Sequence, residues 1–156
     1  MNNERQQNDK RFMEMALLQA REAFLCGEVP IGAVLVKDNA PLAVTRNRCE
    51  ELGDATAHAE ILALQEGGRI LGGWRLSGTT LYVTLEPCPM CAGALVQARV
   101  DRLVYGAADP KGGAAGTLYD IVQDGRLNHR LEVTAGILEE KCARLLQKFF
   151  QQRRDR

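Results

Sequence analysis

The chain has 156 residues, 46% hydrophobic and 26% charged. That composition suits one globular domain and excludes wholesale disorder or two full-size domains. Twenty basic and twenty acidic residues cancel, which excludes a polycationic coat but not a local basic patch.

No apolar run approaches the roughly 20 residues of a membrane-spanning helix. The opening MNNERQQNDKRF has neither a signal-peptide core nor an Arg/Ser-rich transit pattern. The expected location is the cytoplasm. There the five cysteines (Cys26, Cys49, Cys88, Cys91 and Cys142) are expected as thiols or metal ligands rather than disulfides. Residues 1–156 read as a single domain, with 1–9 and 153–156 expected to fray.

In chain order, Phe12, Met15, Ala16, Gln19, Ala20, Ala23 and Phe24 follow helical spacing, and Cys26-Gly27 is a stop. Ile31 to Val36 has the length and character of a strand. Lys37-Asp38-Asn39-Ala40-Pro41 has turn chemistry, and Leu42 to Thr45 returns as a hairpin partner. Residues 46–56 read as loop. Thr56 is the expected N-cap of a helix over Ala57 to Gln65, ended by Gly67-Gly68. Leu81 to Leu85 is the clearest strand. Pro87 and Pro89 stand where a helix over Met90 to Gln97 begins. Arg102 to Ala107 is a further strand, Leu118 to Val122 a short helix, Leu131 to Thr134 a fifth strand, and Leu138 to Phe150 a final amphipathic helix. Strands alternating with helices after a hairpin imply a layered α/β domain with a mixed sheet.

Two motifs carry chemistry: His58-Ala59-Glu60, and Pro87-Cys88-Pro89-Met90-Cys91 directly after a strand. Two thiolates and one imidazole suit zinc, and three protein ligands leave a fourth position for water, as in catalytic sites. A structural site wants a fourth ligand, but His129 is the only other histidine and no second C-x-x-C exists. Both motifs sit at expected helix starts, where the positive end of the helix favours thiolates. Glu60 beside the metal can take a proton from water and pass it on. H-x-E alone is a weak signal, and C-x-x-C alone fits a redox pair or structural zinc; it is their combination that points to catalysis. Cys26, Cys49 and Cys142 have no partner motif. Residues 141–156 hold six basic residues against Asp155. Such a run can track phosphates or can simply be a solvated helix end.

These residues resemble the zinc-dependent cytidine deaminase-like superfamily and, within it, the bacterial tRNA-specific adenosine deaminases. The likeness is carried by Pro30-Ile31-Gly32-Ala33-Val34, Asn47-Arg48, Thr56 to Glu60, Leu81 to Cys88, Met90 to Ala94, Gly106-Ala107, Gly113 to Gly116, Leu127-Asn128-His129 and Phe149 to Arg154. Pro110 and Gly112 depart from the usual residues of their loop. The resemblance implies a three-layer α/β/α sandwich around a five-stranded mixed sheet. It implies hydrolytic deamination of adenosine to inosine at the wobble position of a tRNA anticodon, by a homodimer with the anticodon stem-loop bound near the interface. One zinc per subunit would be held by His58, Cys88 and Cys91, with water attacking the adenine ring and Glu60 as proton shuttle. The Ala59 N–H would orient the base, Asn47 would bond the flipped nucleotide, and Asp109 would meet a ribose hydroxyl. Val29, Pro30 and Ile31 would wall the pocket. Asn128, His129, Phe149, Arg153 and Arg154 would complete the RNA contacts. Two readings compete: a free-base or nucleoside deaminase acting on guanine, cytosine or cytidine, and a non-catalytic RNA-binding zinc module.

Overall fold

Hydrophobic side chains alternate along the central strands and feed two separate cores. Ala33 and Leu35, Leu81 and Val83, and Leu103 and Tyr105 enter one. Their neighbours Val34 and Val36, Tyr82, and Val104 enter the other. A period of two with both faces apolar requires cover on both sides of the sheet. The computed structural model, which describes residues 2–155, supplies it. Met1 and Arg156 lie outside the described residues, and with them their share of the expected fraying and of the basic tail.

The elements are α1 (Asn2–Leu25), β1 (Gly32–Lys37), β2 (Ala40–Arg46), α2 (Cys49–Leu52), α3 (Ala59–Leu71), β3 (Thr79–Leu85), α4 (Pro89–Gln97), β4 (Arg102–Ala107), β5 (Glu132–Ala135) and α5 (Glu139–Arg154). The sheet order is β2-β1-β3-β4-β5. β1 pairs antiparallel with β2 and β3, while β3, β4 and β5 run parallel. Ala59, Ala63, Ala92 and Leu95 of α3 and α4 pack on one face. Phe12, Met13, Ala16 and Leu17 of α1 and Cys142 of α5 pack on the other. This is the expected three-layer mixed-sheet architecture.

Several expectations about individual elements need correction. The segment 2–9 is helical rather than frayed, because Asp9 is buried in an ion pair. Its carboxylate accepts two bonds from Arg102, each 2.7 Å, and one from the Tyr82 hydroxyl at 2.8 Å. Arg153 and Arg154 are helical too. The polar stretch after β2 contains α2, whose N-terminal amides at Glu50 and Glu51 donate to the buried Glu28 carboxylate at 3.0 and 2.7 Å. A carboxylate 22 residues upstream replaces a local cap, and local sequence does not advertise it. The N-cap of α3 is His58, not Thr56. α3 also runs past Gly67-Gly68 to Leu71, with left-handed Gly72 as C-cap. Gly67 is a packing residue: a Cβ there would come 2.4 Å from Leu35 Cδ2. Residues 118–122 are not helical; they form turns and an isolated bridge between Ala115 and Asp120.

Candidate metal centre

His58 and Cys88 are the N-cap residues of α3 and α4. Both are extended, at φ −70°, ψ 150° and φ −73°, ψ 172°. Pro89 at the first helical position fits α4, where its missing N–H costs nothing. Cys91 follows one turn in and is fully buried. The two helix starts lie side by side, bringing His58 Nδ1 to 3.6 Å from Cys88 Sγ and 3.4 Å from Cys91 Sγ. All three ligand atoms lie within 4.8 Å of one another. Zinc–nitrogen and zinc–sulfur bonds of ~2.0 and ~2.3 Å at the tetrahedral angle put N and S about 3.5 Å apart, so the observed spacing fits zinc.

The electrostatics agree. The hydrogen bond from Cys91 pushes the Cys88 thiol down to about 4, against the effect of burial and with help from His58. Cys91 is pushed up correspondingly, as the donor of that pair. His58 is raised, first by its bond to Cys88. With the three ligand atoms within 4.8 Å of one another, a cation between the two sulfurs would favour the thiolate form of both. Glu60, on the first turn of α3, is 3% exposed. Burial pushes its carboxyl up to about 7, partly offset by its own backbone N–H and by His58. Among the described residues its Oε1 has no hydrogen-bond partner, so a polar group beside the metal can satisfy it.

The remaining sequence-expected residues divide. Asn47 and Ala59 come together: Asn47 Oδ1 accepts the Ala59 N–H at 2.8 Å. The expected Ala59 contact to a base is therefore taken up within the protein. Asn47 Nδ2 has no partner among the described residues and is the donor left. Ile31 joins them, its carbonyl accepting the Asn47 N–H at 3.1 Å. Pro30 is buried, Val29 half-buried. Val29, Asp109 and Arg154 line a groove of about 1150 Å³ at the carboxyl ends of β3 and β4, with Lys111 and Phe150.

Phe149 is a correction. It is 6% exposed and packed edge-on against Phe24 and Phe150, at ring-centroid distances of 5.7 and 5.4 Å. Phe150, 44% exposed, is the ring free to stack. Arg153 lies over Phe149 and donates to the Gly27 carbonyl at 2.6 Å, so it ties α5 to the end of α1. His129 Nε2 meets the Val100 carbonyl at 2.6 Å. Val100 lies past the C-terminal end of α4 whereas Cys88 caps its N-terminus, so His129 is bonded at the opposite end of α4 from Cys88; Asn128 is exposed. Sequence reasoning assigned no role to Glu86 or Glu28; their exclusion from solvent beside polar loops is the signal, and it exists only in three dimensions.

The MafB19-like deaminase family matches residues 7–154. A tRNA-specific adenosine deaminase of Bacillus subtilis (strain 168) is 51% identical over 146 residues, covering 94% of this chain and 91% of its own. The chain belongs to the tRNA-specific adenosine deaminase family. A solved structure from a study of A-to-I editing by tRNA:A34 deaminases at the wobble position superposes with a TM-score of 0.85 at 48% identity, over 87% of this chain and 99% of that one. A guanine deaminase from Nitrosomonas europaea also superposes, with a TM-score of 0.77 over 90% of this chain and 83% of its own, but at 25% identity. The family's cofactor is zinc, and His58, Cys88 and Cys91 are the residues that fit it.

Proposed function

We infer that the protein deaminates adenosine to inosine at the wobble position of a tRNA anticodon. The observation that carries this is a buried Glu60 carboxyl beside a three-ligand His/Cys/Cys group, in a chain half-identical to tRNA-specific adenosine deaminases. Adenosine and water give inosine and ammonia: a C6–O bond forms and the C6–N bond breaks. Zinc, when bound, supplies a Lewis acid that makes hydroxide available near neutral pH. Glu60 takes the proton of the attacking water, delivers it to the ring nitrogen beside C6, and then serves the departing ammonia. Its place on the first turn of α3, with one oxygen unpartnered, suits that traffic.

Asn47 Nδ2 donates to the flipped base, Val29 and Ile31 wall it, and Asp109 meets a neighbouring ribose hydroxyl. Phe150 stacks on a loop base and Arg154 meets phosphate; Asn128 and His129 meet RNA beyond the reacting nucleotide. The reacting carbon is hidden in a stacked duplex, and flipping is cheapest where the base is already unpaired. An anticodon loop meets that need.

Residues 1–156 act in this reading as one catalytic domain, in the cytoplasm with its tRNA. No described helix is long and apolar enough to cross a membrane. A homodimer completes the reading. Trp74 is 61% exposed beside an apolar hollow formed by Leu64, Gly68, Gly73, Ala94 and Ala98, a surface that a second copy can cover; light scattering tests it. The function itself is tested by incubating the zinc-loaded protein with an A34 anticodon stem-loop and, separately, with adenosine, cytidine and guanine, reading inosine by mass. Conversion of the stem-loop alone is expected. Release of ammonia from a free base or nucleoside alone would overturn the RNA assignment.

A further inference from the structure

Glu86 lies between β3 and the metal ligand Cys88, is 2% exposed, and touches none of the three metal ligands through any hydrogen bond among the described residues. Its carboxylate is instead filled by four donors from a single loop. The backbone N–H groups of Asp109, Ala115 and Thr117 reach it at 3.0, 3.0 and 3.1 Å, and the Thr117 hydroxyl also donates. Backbone bonds stitch the same strip down on both sides: the Glu86 N–H donates to the Ala107 carbonyl and the Ala114 N–H to the Pro87 carbonyl, both at 2.8 Å. A Cβ on Gly113 would stand 2.4 Å from the Glu86 carboxyl carbon. Gly113 does not have positive φ, so the carboxylate, not the backbone conformation, is what demands glycine there. A buried anion with this many converging donors is stable only while the loop keeps its shape. The start of the loop, held by the Asp109 N–H, carries the Asp109 and Lys111 side chains into the groove walled by α5.

We propose that Glu86 is a positioning residue for the RNA. It clamps loop 108–117 onto the turn that holds the metal cysteines, and so fixes where Asp109 and Lys111 stand relative to the reacting base. This rests on the anticodon reading above. Through the clamp Glu86 governs substrate binding without contacting substrate or metal.

Glu86→Gln replaces one acceptor with an NH2 group that faces N–H donors. The expected result is unchanged zinc content, kcat within about threefold of the parent, and KM for the stem-loop raised at least about tenfold, the equivalent of one hydrogen bond to a charged group. Gly113→Ala attacks the same clamp from the loop side, and the double variant should be clearly less than additive. Amide exchange at Asp109, Ala115 and Thr117 should quicken in Glu86→Gln while α4 stays protected. If zinc content and kcat fall together with KM unchanged, Glu86 is a buttress of the fold and the proposal is wrong. Additive effects of the two substitutions overturn it as well. A parent protein that neither binds nor converts the stem-loop instead defeats the RNA reading, and the proposal falls with it.

Discussion

Asn47 Oδ1 accepts the backbone N–H of Ala59 at 2.8 Å, across the gap between the end of β2 and the start of α3. Ala59 stands between the metal ligand His58 and the acid/base Glu60, so this bond fixes the backbone from which both project. The Thr45 hydroxyl, donating to the Ala59 carbonyl at 2.7 Å, holds the other side of the same residue. In the proposed reading Asn47 has a second role, its Nδ2 donating to the substrate base while Oδ1 holds Ala59. Asn47→Asp keeps the acceptor and loses the donor: zinc content and Tm should hold while kcat/KM falls at least about tenfold, the worth of one lost bond to substrate. Asn47→Ala also strands the buried Ala59 N–H and should cost about 1–3 kcal/mol of stability. Equal melting temperatures for the two variants would remove the scaffolding role.

Glu60 is expected to move protons without holding the metal. Glu60→Gln should lower kcat by roughly 10²–10⁴, the range of general acid–base catalysis, with zinc content per chain unchanged. Metal analysis of the purified variant decides the assignment: zinc lost together with activity would make Glu60 a ligand.

The ligand set was legible because metal chemistry restricts residue type and spacing so tightly. His58, Cys88 and Cys91 could be named from sequence, and both motifs do open helices. Strands announced by apolar, β-branched runs were legible for the same reason: β4 runs from Arg102 to Ala107 as expected. What failed depended on distant partners. Gly67 read as a helix stop, yet it is glycine because Leu35 fills the space its Cβ would take. The segment before Lys10 read as frayed because the Arg102 that anchors Asp9 lies 93 residues away. Phe149 and Phe150 are equivalent in sequence; only packing against Phe24 separates the buried ring from the free one.

The Asp9 anchor makes stability pH-dependent. Burial alone would raise the Asp9 carboxyl, but hydrogen bonds from Arg102 and Tyr82, with the charges of Arg102 and Arg5, outweigh it and hold it below the usual range. The other facing charge is Glu132, 3.0 Å from Arg102 Nε. A carboxyl lowered in the folded state contributes fully above its unfolded value of about 3.9, and that contribution is lost as the pH falls through the folded value. Asp9→Asn should cost about 3–5 kcal/mol at pH 7, as expected for one broken half of a buried pair. The gap to the parent should close in acid, where protonated Asp9 resembles asparagine. Chemical denaturation at pH 7 and pH 3 tests this; a gap that stays constant would mean the ion pair is not its source.

The end of α5 should separate folding from RNA binding. Phe149 is packed between Phe24 and Phe150 under the Arg153 guanidinium, so Phe149→Ala should cost about 3–5 kcal/mol of stability. Phe150, exposed in the groove with Lys111 and Arg154, should cost little stability when changed to Ala but about 1–3 kcal/mol of RNA affinity if it stacks on a base. Arg154→Ala leaves Arg153 on the Gly27 carbonyl and should flatten the salt dependence of binding, because each phosphate contact adds to the slope. Anisotropy titrations of the stem-loop across a salt series read both effects. An Arg154→Ala protein with the parent's slope would leave Arg154 as a helix-end cation alone, and an unchanged affinity in Phe150→Ala would take the ring out of the RNA site.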